Sequence, residues 1–285
     1  MNTVAILGSG DLAATAARRL AELELARRIV MVDANEGRAK GKALDLAQSG
    51  PVERYDARLE GCAELKGVGG FDVLLVADPP ALEDPVLSPG RAMEFVKSLL
   101  GDLHGAIVIV AGINASALVE AGIQAGLPRQ RILGSIPIAL SAAVRRRLAA
   151  ELDVAPREVA ATVMGLPPSS LFVAHGSATV GGVPIEGLSA VALRRATEAV
   201  TGRLPGPVAL ATGAVRIVQA LCSHRPSALP VVAALEGEYG HRGVALAVPA
   251  QVAVGGLRSI LEVPLEPVDR VAFDNAAGRR YATAR

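Results

Sequence analysis

The chain has no tryptophan, and its aromatic content is 2%. Stacking platforms for nucleic-acid bases are therefore not expected, and the core has to be packed from Ala, Val, Leu and Ile. A surplus of one charge is missing too. Lys plus Arg number 29 against 28 Asp plus Glu, so no strong field draws the chain to nucleic acid or to an anionic membrane. The two cysteines, Cys62 and Cys222, lie far apart without CxxC spacing. They are expected to be small buried hydrophobes rather than a disulfide or a metal pair, which fits a reducing cytoplasm. His104, His224 and His241 fall in loop-like contexts without clustered Cys, Asp or Glu, and no metal site is predicted. No apolar run approaches the roughly 18 residues of a spanning helix, and the N-terminus lacks the basic region and cleavage site of a signal peptide. A soluble protein is expected, with small molecules or protein surfaces as its partners.

What is present is 285 residues, 51% of them hydrophobic, enough for one large core or two modest domains. In the first half, short β-branched runs alternate with Ala/Leu/Arg segments of helical period. That pattern predicts an α/β fold with a doubly wound parallel sheet. Strands are expected at 4–7, 28–32, 73–76 and 106–110, with helices at 11–22, 34–48 and 91–100. Beyond Pro128 the pattern changes to strand clusters and longer helices, at 138–152 and 188–204, so domains of 1–128 and 129–285 are expected. The apolar run 159–164 reads as a buried strand, and hairpin-like runs follow at 171–180, 231–235 and 244–248. There is no internal repeat.

GSGDLA, Gly8 to Ala13, lies between the first strand and the first helix, and Asp33 ends the second strand. A glycine turn in that context, with an acid about 20 residues on, is a dinucleotide fingerprint. Gly8 permits the tight turn, and Gly10 lets the backbone approach a pyrophosphate seated on the helix N-terminus. Leu12 follows in the first helical turn, and Ala13 takes the place of the third glycine. Asp33 accepts ribose hydroxyls and favours NAD over NADP, whereas Asp11 puts a carboxylate near the phosphates.

The stretch Val4 to Ser49 resembles the opening of the lactate/malate dehydrogenase family almost position for position. Gly126 to Ser135 resembles the segment before that family's catalytic helix, Ser177 to Ile185 its strand past the catalytic histidine, and Leu229 to Leu265 its C-terminal sheet. The resemblance covers nearly the whole chain. It implies a Rossmann half followed by a mixed α/β lactate/malate dehydrogenase-like half, an NAD cofactor, and a homo-oligomer formed through helices around 39–48. It also implies an activity, because family members pair a histidine with an aspartate to move a proton while the nicotinamide moves a hydride. An arginine clamps the substrate carboxylate, an asparagine holds the substrate oxygen, and a mobile loop closes with a further arginine.

Carried over on ungapped stretches, the asparagine position falls on Gly112, the aspartate on Leu140, the clamp arginine on Ala143 and the histidine on Pro167. Between Asp72 and Gly112 the chain is about eight residues shorter than the family pattern, enough to delete most of a closing loop. Arg91 lies near the lid arginine's place. The turn after the fourth strand is Ala77-Asp78-Pro79-Pro80, which puts Ala77 beside the cofactor with another acid and two prolines.

No other catalytic group replaces those lost. His175 falls on a strand well past the turn and reads as structural or exposed, and Ser169 and Ser170 have no base beside them. Arg145, Arg146 and Arg147 read as a solvated face, with Arg145 matching an arginine common in the family. The expectation is a lactate/malate dehydrogenase-like pseudoenzyme without catalytic residues, binding NAD(H) as a regulatory or assembly subunit. Two alternatives stand beside it: an oxidoreductase of altered substrate that relays protons through Ser141, Ser169 or water, and an interaction scaffold without nucleotide.

Overall fold

The computed structural model describes residues 1–77 and 87–283, with the backbone alone at 186–188 and 279–283. The expected alternation is there. Strand β1 (Thr3–Leu7) leads into α1 (Asp11–Glu22), β2 (Arg28–Val32), α2 (Glu36–Glu53), β3 (Arg58–Cys62), β4 (Val73–Val76), α3 (Pro89–Leu100), β5 (Ile107–Val110), α4 (Ala115–Gln124) and β6 (Ile132–Gly134). The second half runs α5 (Ile136–Glu151), β7 (Val159–Ala160), β8 (Met164–Leu166), β9 (Ser170–Phe172), β10 (Thr179–Val180), β11 (Val183–Pro184), α6 (Glu186–Glu198), α7 (Pro207–Leu221), β12 (Ser227–Glu236), β13 (Arg242–Ala253), β14 (Gly256–Ile260) and α8 (Pro267–Thr283).

Local chemistry explains the helix ends. In α1 the buried residues Leu12, Ala13, Ala16, Ala17, Leu20 and Ala21 recur on one face. Asp11 in its first turn and Arg19 in its last complement the helix dipole. Asn35 caps α2 by accepting from the Arg38 backbone N–H at 3.0 Å, and Arg54 ends it in the left-handed region. Ser88 caps α3.

The main sheet has the order β3-β2-β1-β4-β5-β6-β12-β13-β8-β9, with β14 on β13. From β3 to β6 the pairings are parallel, and their strands are buried runs such as Val73–Val76. From β6 onward they are antiparallel. Gly134 is the seam, facing Val110 on one side and Val232 on the other. A Cβ there would lie 2.6 Å from Ala115 Cβ and 2.8 Å from Val232 Cβ. The strands β11, β10 and β7 form a separate small sheet.

Several expectations need correction. The run 159–164 is not one strand: β7 belongs to the small sheet, β8 to the main one, and between them the Val163 N–H donates to Ser141 Oγ at 3.1 Å rather than to a ladder. Continuous apolarity gave no hint of where the chain crosses between sheets. The run 171–180 divides likewise into β9 and β10. Helix α6 stops at Glu198, short of residue 204, and Ser189 interrupts its regular φ/ψ. Cys222 is exposed and Cys62 half-buried, both as free thiols. No helix among the described residues is long and apolar enough to cross a membrane.

Helix α8 is fastened to the sheet by two histidine–aspartate pairs. His175 Nδ1 meets Asp269 Oδ1 at 2.8 Å and His241 Nε2 meets Asp274 Oδ1 at 2.7 Å. His175, expected on a strand, lies instead in the turn between β9 and β10, half exposed and paired with Asp269. His241 has a carboxylate partner 33 residues away in sequence that spacing did not reveal. Between the pairs, Phe273 is fully buried against Phe172, Tyr239 and His241.

Substituting Gly134→Ala tests the seam. Forcing a methyl group between Ala115 and Val232 is expected to lower stability by about 1–3 kcal/mol, seen as a fall in the thermal midpoint. An unchanged midpoint would show that the seam does not depend on this close approach.

Candidate functional site

The carboxyl ends of β1, β2, β4 and β5 line one edge of the parallel sheet, where the strand order reverses beside β1. Gly8 leaves β1 with φ +118, a left-handed conformation that side chains rarely adopt, and its N–H donates to Val32 O at 2.8 Å. Gly10 precedes α1 without a side-chain cap, so the first-turn N–H groups of that helix keep the orientation that suits a phosphate. Leu12 is buried, whereas Asp11 is exposed at the mouth of the turn. Ala77, at the end of β4, is 8% exposed and its N–H donates to Leu7 O at 3.0 Å. Asp78, Pro79 and Pro80, expected beside the cofactor, lie outside the described residues.

Asp33 stands at the end of β2, and its side chain is 1% exposed. Its Oδ2 accepts from Ser9 Oγ and from Arg38 Nη2, both at 2.6 Å, and its Oδ1 accepts from the Asn35 N–H at 2.9 Å. Arg38 Nε also donates to Ser9 Oγ, at 2.7 Å. Burial alone would raise the Asp33 carboxyl, but the Ser9, Arg38 and Asn35 donors outweigh it and hold it below the usual carboxylate range. Ser9 and Arg38 are the residues that reasoning from the sequence missed. The signals were present: a hydroxyl in the variable position of the glycine turn, and a cation one turn into the helix that follows the acid.

A dinucleotide therefore meets two different ends. The glycine turn and the N-terminus of α1 fit a pyrophosphate. At the ribose end, three of the roughly four lone-pair positions of the Asp33 carboxylate are already taken by the chain itself.

Of the four positions where the resemblance expects reacting side chains, one follows β5, two lie within α5 and one lies between β8 and β9. Gly112 follows β5, and a Cβ built on it would come within 3.9 Å of Ala77 O. Leu140 on α5 is fully buried, and Ala143 one turn later is half-buried. Pro167 is buried in the turn between β8 and β9, joined to Pro168 by a cis peptide. That turn is anchored, because Gly202 N–H donates to Pro168 O at 2.7 Å. Gly165, with φ +106, brings its Cα so close to Ser170 that a Cβ would sit 2.3 Å from the Ser170 carbonyl oxygen.

Nearby polar groups are otherwise engaged. Ser141 is buried and accepts from Val163, and Ser169 is exposed with its hydroxyl 3.5 Å from Leu166 O. Asn114, two residues past Gly112, is buried, and its Oδ1 accepts from Leu87 N–H at 3.3 Å. Arg91 is exposed in the first turn of α3. Arg146 is exposed on α5, while Arg145 and Arg147 are half-buried. Arg145 Nε is buried, so the basic run is not simply a solvated face. No group of three or more His, Cys, Asp or Glu side chains that could hold a metal occurs among the described residues. A separate hollow of about 670 Å³ opens between β9, α6 and α8, lined by Phe172, His175, Leu193, Thr197 and Asp269 among others, and none of the expected site residues reaches it.

A parallel sheet of order 3-2-1-4-5-6, a glycine turn after its first strand and an acid ending its second define a Rossmann-type α/β fold. More narrowly, the chain belongs to the lactate/malate dehydrogenase family. It is 30% identical over 295 residues to malate dehydrogenase from Chloroherpeton thalassium, covering 96% of this chain and 94% of that one. With malate dehydrogenase from Thioalkalivibrio sulfidiphilus the identity is 28%, over 97% of this chain and 96% of the relative. Among solved structures, malate dehydrogenase from Salinibacter ruber superposes with a TM-score of 0.88 at 25% identity, covering 99% of this chain and 96% of that one. No protein-family model matches the chain.

The Asp33 cluster carries a pH signature. Because its folded carboxyl is held low, Asp33 contributes stability that is present above the unfolded aspartate value of about 3.9 and is lost as pH falls through the folded value. Asp33→Asn is expected to cost about 1–3 kcal/mol at pH 7, with the gap from the unsubstituted chain narrowing below about pH 4. Urea midpoints at pH 7 and pH 3 check this, and a gap independent of pH would mean that the charge is not what holds the cluster.

Proposed function

We propose that this chain is a non-catalytic member of its family, one that binds NAD(H) at the glycine turn and serves as a regulatory or assembly subunit. The observation that carries the reading is the joint replacement at Gly112, Leu140, Ala143 and Pro167. Hydride transfer to or from a 2-hydroxy acid needs a group that exchanges a proton near neutral pH and a cation that fixes the acid. Neither leucine, alanine nor proline supplies one. The replacements are also mutually consistent: without the histidine, a buried aspartate at position 140 would be an uncompensated charge costing several kcal/mol, and Leu140 instead joins the core.

The relatives named malate dehydrogenase make the opposite reading a fair comparison, since their names describe an activity. An altered proton relay through Ser141 or Ser169 is the less favoured account, because Ser141 is committed to the backbone of Val163 and Ser169 is solvent-exposed. Self-association fits the exposed apolar side chains of α2, with Leu44 59% and Val52 81% accessible. The two free thiols are in keeping with a cytoplasmic setting.

Two measurements test the reading. Steady-state assays with malate, lactate and their keto acids are expected to give turnover at least about a thousandfold below the typical enzyme rate near 10 per second. Turnover within that margin would end the pseudoenzyme reading. Calorimetric titration is expected to show saturable binding of NADH at submillimolar concentration, whereas silence would favour a scaffold without nucleotide.

A further inference from the structure

The expectation that Asp33 receives both hydroxyls of an adenosine ribose does not match how the acid is held. Its Oδ2 is filled by Ser9 and Arg38, and its Oδ1 keeps a single lone pair beside the Asn35 N–H. The carboxylate side chain is 1% exposed, whereas that of Arg38 is 48% exposed. A ligand arriving at the end of β2 thus meets a guanidinium first, with the carboxylate beneath it. The Arg38 backbone is fixed as well, its N–H donated to the Asn35 cap at 3.0 Å.

The two nicotinamide dinucleotides place opposite demands on such a surface. A free 2′,3′-diol donates two hydrogen bonds while one lone pair of Asp33 stands open, so Arg38 or Ser9 must be displaced before Asp33 can receive both hydroxyls. A 2′-phosphate accepts them. Of the five guanidinium N–H donors, one on Nε goes to Ser9 and one on Nη2 goes to Asp33, which leaves three for an incoming anion. Other nearby charges do not cancel this: Glu36 is exposed and paired with Lys40 Nζ at 2.8 Å, and the Asp33 charge lies behind the guanidinium.

We propose that Arg38 determines selectivity at the 2′ position of the ribose, weakening the grip on the free diol and creating a seat for a 2′-phosphate, so that the preference Asp33 alone would impose is cancelled or reversed. This rests on the dinucleotide reading of the glycine turn. Arg38 acts as a specificity residue, touching the ligand at the end remote from the nicotinamide.

The test is a titration of the full chain with NADH and with NADPH, following the emission of the reduced nicotinamide, for the unsubstituted protein and for Arg38→Ala and Arg38→Gln. The glutamine variant keeps a donor for Asp33 while removing the charge, and thermal unfolding verifies that each variant folds. The unsubstituted chain is expected to bind NADPH at least as tightly as NADH. Both variants are expected to swing the ratio tenfold or more toward NADH, with NADPH affinity falling and NADH affinity unchanged or improved. Tenfold preference for NADH in the unsubstituted chain, or a ratio that moves less than threefold in both folded variants, overturns the inference while leaving dinucleotide binding intact. Absence of binding by either nucleotide overturns the dinucleotide reading itself.

Discussion

A single close approach holds the molecule's two halves in register. At Gly134 the parallel ladder from β5 and the antiparallel ladder from β12 meet on one residue, with Ala115 pressed against the space where a side chain would stand. Because the sheet continues through this point, the positions of the glycine turn at its parallel edge and of the proline turn between β8 and β9 follow from one hydrogen-bonded framework. Small residues make the approach possible, and a chain poor in aromatics supplies many of them. The core around it is a mosaic of Ala, Val, Leu and Ile, whose packing tolerates little added volume.

The parallel half was the more legible. β2, β4 and α1 fall at the residues their periodicity indicated, because strands buried on both faces and a helix with one apolar face leave clear marks. Other elements left weaker marks. β3, with the sequence RLEGC, sits at the sheet edge and is mostly half-buried, so it lacks both alternation and an apolar run. α4 and α7 are buried over more than one face, which erases the polar stripe that identifies a helix. The break between β7 and β8 occurs inside uniformly apolar sequence, where period alone carries no boundary.

The site shows the same division. Gly8, Gly10 and Asp33 were readable because a backbone requirement or a charge fixes their identity at a known spacing. Ser9 and Arg38 were not, since their importance lies in two side chains from separate parts of the chain converging on one carboxylate. Convergence of that kind is a property of the tertiary structure. The family's reacting positions are a different case, legible only through resemblance, because Leu140, Ala143 and Pro167 carry no chemistry that would draw attention to them.

The fastening of α8 has a spectroscopic consequence. With three tyrosines and no tryptophan in the chain, ultraviolet signals arise from few chromophores. Tyr239 is held between the Leu261 carbonyl and the Val263 N–H and lies 4.6 Å, centroid to centroid, from Phe273 on that helix. Aromatic circular dichroism would thus sense the seating of the C-terminal helix through Tyr239 and Phe273, alongside a contribution from Tyr55, which is buried and hydrogen-bonded to Ser49 and Leu46 of α2.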